Sequence, residues 1–195
     1  MTRPRIGVFG GTFDPPHLGH LVTAVNVRHE LRLDRVLLVV ANVPWQKEGT
    51  RRITHSEDRY ALVSAAVLGL DGLEASRIEI ERGGPSFTAD TLAVLAAQQS
   101  ACELFTILGQ DAAAAITSWE RHEEVAERST LVVVDRPGSR APLPNGFSWE
   151  RVEVPHLEVS STDLRARVTD GRPLDLLLPG AVIAGIRARN LYRTP

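Results

Sequence analysis

The 195-residue chain has 22 basic and 24 acidic residues, a formal net charge of −2, and 43% hydrophobic residues. That length suits one globular domain spanning 1–195, and the interspersed, near-neutral charge lacks the basic face of a DNA or RNA binder. No apolar run reaches the roughly 18 residues of a membrane span, Met1–Arg5 leads into a strand-like run and not a signal sequence, and the lone Cys102 excludes an internal disulfide, so the expected setting is cytoplasmic.

In chain order, Ile6–Phe9 reads as a first strand. Leu18, Leu21, Val22 and Val25 then keep the spacing of one helix face. Val36–Val40 is a second, uniformly apolar strand. Ser56–Leu68 is helical, and Ala75–Glu81 alternates as a strand, with Ile78 and Ile80 on one side and Arg77 and Glu79 on the other. Ala89–Ala97 is again helical. Leu104–Leu108 and Leu131–Val134 are continuous apolar strands, Asp135–Ser148 is a loop rich in Pro, Gly and Ser, and Pro179 opens a last helix. Strands apolar on both faces and alternating with helices predict an α/β fold, Rossmann-like and doubly wound, with a mainly parallel sheet and helices on both faces.

Ligands of such sheets bind beyond the carboxyl ends of the strands, with the first strand-to-helix turn as the usual phosphate cradle. That turn here is Gly10-Gly11-Thr12-Phe13-Asp14-Pro15-Pro16-His17-Leu18-Gly19-His20. Gly10 and Gly11 allow unusual backbone angles and close approach of a ligand. Asp14 is expected to cap the helix, with Pro15 and Pro16 in its opening positions. The free amides and positive dipole end then face an anion. His17 and His20, three apart, share a face; imidazoles there donate hydrogen bonds to phosphate oxygens and can carry charge where negative charge builds up. A zinc pair is a rival reading, but no cysteine or third histidine clusters nearby, and no protein-held metal is expected.

These eleven residues resemble the GxFxPxHxGH signature of the nucleotidyltransferases with a T/HxGH motif, relatives in fold of class I aminoacyl-tRNA synthetases. The resemblance implies that His17 and His20 contact ATP phosphates and stabilise the transition state, while Gly10, Gly11, Thr12 and Phe13 line the nucleotide site. A second family signature, SxTxxR, is matched near the C-terminus by Ser160, Thr162 and Arg165, with Ser161 between them. Hydroxyls and free amides at a helix start, with a guanidinium fork, suit phosphate oxygens. Taken alone, the same residues would be an ordinary helix cap.

Arg82–Leu92 (RGGPSFTADTL) and Gly109–Trp119 (GQDAAAAITSW) resemble segments of the bacterial nicotinate mononucleotide adenylyltransferases. The resemblance implies that Trp119 stacks on the pyridine ring, that amides near Thr88 receive the nicotinate carboxylate, and that Gly109 and Asp111 serve the nucleotide, Asp111 through ribose hydroxyls. Unaided, Trp119 reads equally as a packing residue. Phe87 replaces the usual tyrosine and removes a hydroxyl. Of the 22 basic residues 21 are arginine, and the one lysine, Lys47, falls where the family carries a phosphate-contacting lysine after PPH; here the preceding residues are Pro44-Trp45-Gln46.

The implied enzyme is a nicotinate-nucleotide adenylyltransferase of NAD biosynthesis. It would join ATP to nicotinate mononucleotide, giving deamido-NAD and pyrophosphate, with His17, His20, Lys47 and Arg165 neutralising phosphoryl charge. Mg²⁺ is expected, held mainly by ATP phosphates. The expected partners are the two nucleotides, with no nucleic acid and no membrane, and self-association is left open. Nicotinamide mononucleotide or phosphopantetheine as acceptor, and a non-catalytic nucleotide sensor, are the alternatives.

Overall fold

The structure, a computed structural model, describes residues 3–44, 53–99, 101–135, 138 and 142–193. Six strands, β1 (Arg5–Gly11), β2 (Arg35–Val40), β3 (Leu73–Ser76), β4 (Glu103–Gly109), β5 (Thr130–Asp135) and β6 (Trp149–Glu153), form one sheet in the order β3-β2-β1-β4-β5-β6. Every pairing is parallel. Strand order reverses between β1 and β4, so the cleft at their carboxyl ends is where a doubly wound sheet binds ligand.

Helices cover both faces because the strands are apolar on both. Val36, Leu38 and Val40 of β2 pack into one core, with α1 (Leu18–Glu30), α2 (Ser56–Val67), α7 (Ser161–Asp170) and α8 (Gly180–Ala188). Leu37 and Val39 pack into the other, with α4 (Thr88–Gln98), α5 (Gln110–Ala114) and α6 (His122–Arg128). The period-2 alternation of a strand whose every residue is apolar feeds both cores at once.

Three local expectations give way. Ala75–Glu81 is not one strand: β3 ends at Ser76, and Ile78–Arg82 is a one-turn helix, α3. Glu79 is buried there, accepting a hydrogen bond from Thr91 Oγ1 at 2.7 Å, while Ile80 and Ile78 pack against opposite cores. The chain therefore turns under the sheet edge, and two isoleucines spaced as in a strand serve different layers. In α1 the buried stripe is Leu21, Ala24 and Val27, with Val25 45% exposed; the small Ala24, invisible to a count of large apolar residues, lies in the contact. Finally, β6 at the sheet edge lies beyond the predicted loop, its Val152 alone deeply buried, too short an alternation to read from sequence.

Candidate active site

The turn after β1 is built differently from its glycine-rich appearance. Neither Gly10 nor Gly11 has a positive φ; Phe13 takes the left-handed backbone instead, at φ 48°. Its ring is 2% exposed and meets Phe9 and His20 edge-on, with centroids 5.9 and 5.0 Å apart, packing that offsets the strained backbone. The glycines supply room: a Cβ on Gly11 would lie 2.8 Å from the Phe13 ring, and one on Gly10 would project into open space.

Asp14 does not cap α1. The N-cap is His17, so Pro15 and Pro16 precede the helix, and the Asp14–Pro15 peptide is cis. Asp14 is 1% exposed and accepts a hydrogen bond from the Tyr192 hydroxyl at 2.9 Å. Burial, followed by the Asp14 charge, holds the Tyr192 phenol well above its usual range, so it stays a donor. The main chain is held as firmly. Arg165 donates to the Asp14 carbonyl at 2.8 Å, and Ser161 Oγ to the Pro15 carbonyl at 2.8 Å. Arg165 also donates to Thr162 Oγ1 at 3.2 Å, while Ser160 Oγ caps α7 by accepting from the Asp163 amide. The two signature segments, 146 residues apart in sequence at Pro15 and Ser161, are thus one structure, with the starts of α1 and α7 side by side.

The His17 and His20 rings stack, with centroids 3.7 Å apart and planes 24° apart. His20 Nδ1 accepts from the His17 amide at 3.1 Å, which leaves Nε2 of the neutral ring as the donor. Burial lowers the His17 pKa from 6.5 to about 4, because desolvation penalises the charged form. His17 is therefore neutral at pH 7 without ligand, which favours the hydrogen-bond-donor half of the expected role over the charged one. Its Nδ1 is buried at the start of α1, facing the N3 amide in a capping-box arrangement with His20.

Beside this turn lies a cleft of about 280 Å³. Gly10, Gly11 and Thr12 line it together with Phe87, Thr88 and Trp119, and with Gly109 between β4 and α5. Thr88 is the first residue of α4, so the unpaired amides of that helix start meet the cleft. Trp119 packs against the second core and also lines the cleft, its Nε1 without a hydrogen-bond partner among the described residues. Asp111, exposed in the first turn of α5, does not line the cleft, although Ala112 does. Lys47, with Trp45 and Gln46, lies outside the described residues. Among the described residues, no three His, Cys, Asp or Glu side chains gather as a metal site, and no helix is long and apolar enough to cross a membrane.

The sequence profile described as cytidylyltransferase-like matches residues 8–167, from β1 into α7. The chain belongs to the cytidylyltransferase-like family. It is 43% identical to a protein of Acidothermus cellulolyticus, over 98% of this chain and 95% of that one. It is 44% identical to one of Streptomyces coelicolor, over 94% and 98%. Both bear the name "Probable nicotinate-nucleotide adenylyltransferase", which places the chain in that branch of the family. In fold it is similar to the Plasmodium falciparum nicotinic acid mononucleotide adenylyltransferase complexed with NaAD, at TM-score 0.79, 17% identity, and coverage of 97% and 98%.

Other members of the site escaped the motifs. Arg59 is 1% exposed and donates to the carbonyls of Thr12 at 2.8 Å, Asn42 at 3.1 Å and Thr54 at 2.8 Å. Its one sequence signal is position: it falls in the stripe Ser56, Arg59, Leu62, Val63, Ala66, Val67 that α2 buries. Asp135, buried at the end of β5, accepts from Gln110 Nε2 at 3.0 Å and from Arg151 at 2.6 Å. It thereby ties down the turn that carries Asp111.

Proposed function

We propose that this chain transfers the adenylyl group of ATP to nicotinate mononucleotide, giving deamido-NAD and pyrophosphate. What carries the reading is one cleft lined both by the Gly10–Thr12 turn and by Thr88 and Trp119, in a family member whose relatives carry that enzyme's name.

The acceptor's phosphate monoester has its second pKa near 6, so it is already a nucleophile at neutral pH. One of its oxygens attacks the α-phosphorus of ATP in line, a P–O bond forms, and the bond to the β-phosphate oxygen breaks to release pyrophosphate. The protein's work is positioning and charge stabilisation. His17 and His20 donate to phosphoryl oxygens from the start of α1, and the amides at the starts of α1 and α7 add their dipoles. Arg165, anchored on Asp14 and Thr162, and Lys47 supply fixed positive charge. Ser160, Ser161 and Thr162 shape the second helix start, and Asp111 and Gly109 serve the ribose. Mg²⁺ would enter with ATP, held mainly by phosphate oxygens and water and not by this chain's side chains, and would offset charge on the phosphates.

In the same cleft, the Trp119 face covers the electron-poor pyridine ring. The α4 amides at Thr88 receive the carboxylate, a site where an amide NH₂ would oppose an N–H. The test is pyrophosphate release from ATP and Mg²⁺ with nicotinate mononucleotide, nicotinamide mononucleotide and phosphopantetheine side by side. Strong preference for the first is expected. Preference for another acceptor would discard the Thr88–Trp119 assignment, and no release with any would leave a nucleotide-binding sensor.

A further inference from the structure

Asn42, just beyond β2, has every polar group engaged. Its amide donates to Ser86 Oγ at 2.8 Å, and its Nδ2 donates to the Gly84 carbonyl at 3.0 Å. Its Oδ1 accepts from Ser56 Oγ at 3.2 Å, and its carbonyl accepts from Arg59 at 3.1 Å. Arg59 reaches from the same point to the Thr12 carbonyl. An unbroken hydrogen-bonded chain therefore runs from Thr12 through Arg59 and Asn42 to Gly84 and Ser86. It starts in the phosphate turn and ends at Ser86, which lines the cleft together with Phe87 and Thr88.

The segment so held needs holding. Gly83 and Gly84 have φ of 73° and 68°, and a Cβ on either would meet nothing within 4 Å. Two glycines in open space leave the backbone many alternatives. Beyond the Asn42 bonds, the Ser86 amide donates to the Val43 carbonyl at 2.9 Å, and Val43 forms an isolated bridge with Pro85. The Gly83 amide donates to the Glu79 and Ile80 carbonyls and Arg82 donates to the Pro85 carbonyl; the Asn42 side chain is what ties Gly84 across to β2.

We propose that Asn42 and Arg59 are positioning residues that set the spacing between the phosphate turn and the acceptor-ring end of the cleft, and through it acceptor binding and in-line alignment. Misplacement of reacting groups by about 1 Å costs on the order of a hundredfold in rate, so a rigid link between the two half-sites has catalytic value although neither side chain touches a reacting atom. Asn is required at 42, not Asp: a carboxylate keeps the shape and the bond from Ser56, but sets an oxygen against the Gly84 carbonyl where a donor stood.

The proposal rests on the two-nucleotide reading of the cleft, and its test separates the two by using whichever acceptor the wild-type enzyme turns over best. Asn42→Asp is expected to raise KM for that acceptor about tenfold and leave KM for ATP within about twofold, with an unchanged melting temperature. Arg59→Lys, which keeps the charge but loses the three-way fork, is expected to lower kcat as well, because it also frees Thr12. Equal shifts in both KM values, or no shift in either, in folded Asn42→Asp protein would reduce the hub to packing and overturn the proposal. Should that variant fail to fold, Ser86→Ala removes one acceptor from the same link: a rise in acceptor KM alone supports the link, and an unchanged acceptor KM overturns it.

Discussion

The phosphate turn and the acceptor end of the cleft are held by opposite means. The turn is a buried polar network. Asp14 and His17 are nearly inaccessible, and Tyr192, Arg59 and the α7 pair Ser161 and Arg165 reach it from three separate parts of the chain. The acceptor end is an apolar wall of two parts: Phe87, on a glycine-bearing segment tied to Asn42, Val43 and Arg82, and Trp119, which packs on the second core. Such a network fixes donors against a charge that every turnover presents, at the cost of tolerating little change. An apolar wall on a loop sets which acceptor fits and can be altered without dismantling the chemistry. Rate should therefore reside at the turn and selectivity at the wall.

The largest expected effect tests the first half of that division. His20→Ala should lower kcat by about 10²–10³-fold, as loss of a transition-state donor does, with much less change in ATP affinity. Equal losses in both, from steady-state kinetics and direct ATP binding, would make His20 a ground-state ligand.

Next in size is the pH dependence of stability. The folded-state pKa of His17 is about 4 against 6.5 for the free side chain, so the unfolded chain takes up a proton first as pH falls. Above pH 6.5 His17 contributes no pH slope. Between 6.5 and about 4 the ligand-free protein should lose about 3 kcal/mol from this residue. His17→Asn should flatten that part of a calorimetric stability profile, and an unaltered slope would mean that His17 is not desolvated in the fold.

The smallest effect concerns the wall. Trp119→Ala should raise KM for the acceptor about tenfold, the scale of one lost aromatic stack with its buried area, while KM for ATP moves little. An unchanged acceptor KM would return Trp119 to the second core alone, and a loss of kcat without a change in KM would erase the contrast between the two regions.

Composition and pattern were enough to determine the layered α/β architecture. Runs such as Val36–Val40 are apolar at every position, and only a sheet covered on both faces buries them. Local chemistry likewise made the two signature segments visible, since glycines, histidines and a helix-starting Ser-Ser-Thr must be adjacent in sequence to act within one turn of chain. What escaped was set by long-range contact. Asp14 looked like a helix cap until Tyr192 reached it from 178 residues away. The Phe13 backbone could be assigned only once Phe9 and His20 packed on its ring. Arg59, one of 21 arginines and marked by no motif, became a strut because the fold brought three carbonyls to it. The neutrality of His17 follows from burial, which belongs to the assembled protein and not to the residue. Sequence alone set the layers and marked the candidate site residues, because periodicity and short motifs are local. The tertiary structure alone decided which polar groups lose water and which partners replace it, because those partners come from distant parts of the chain.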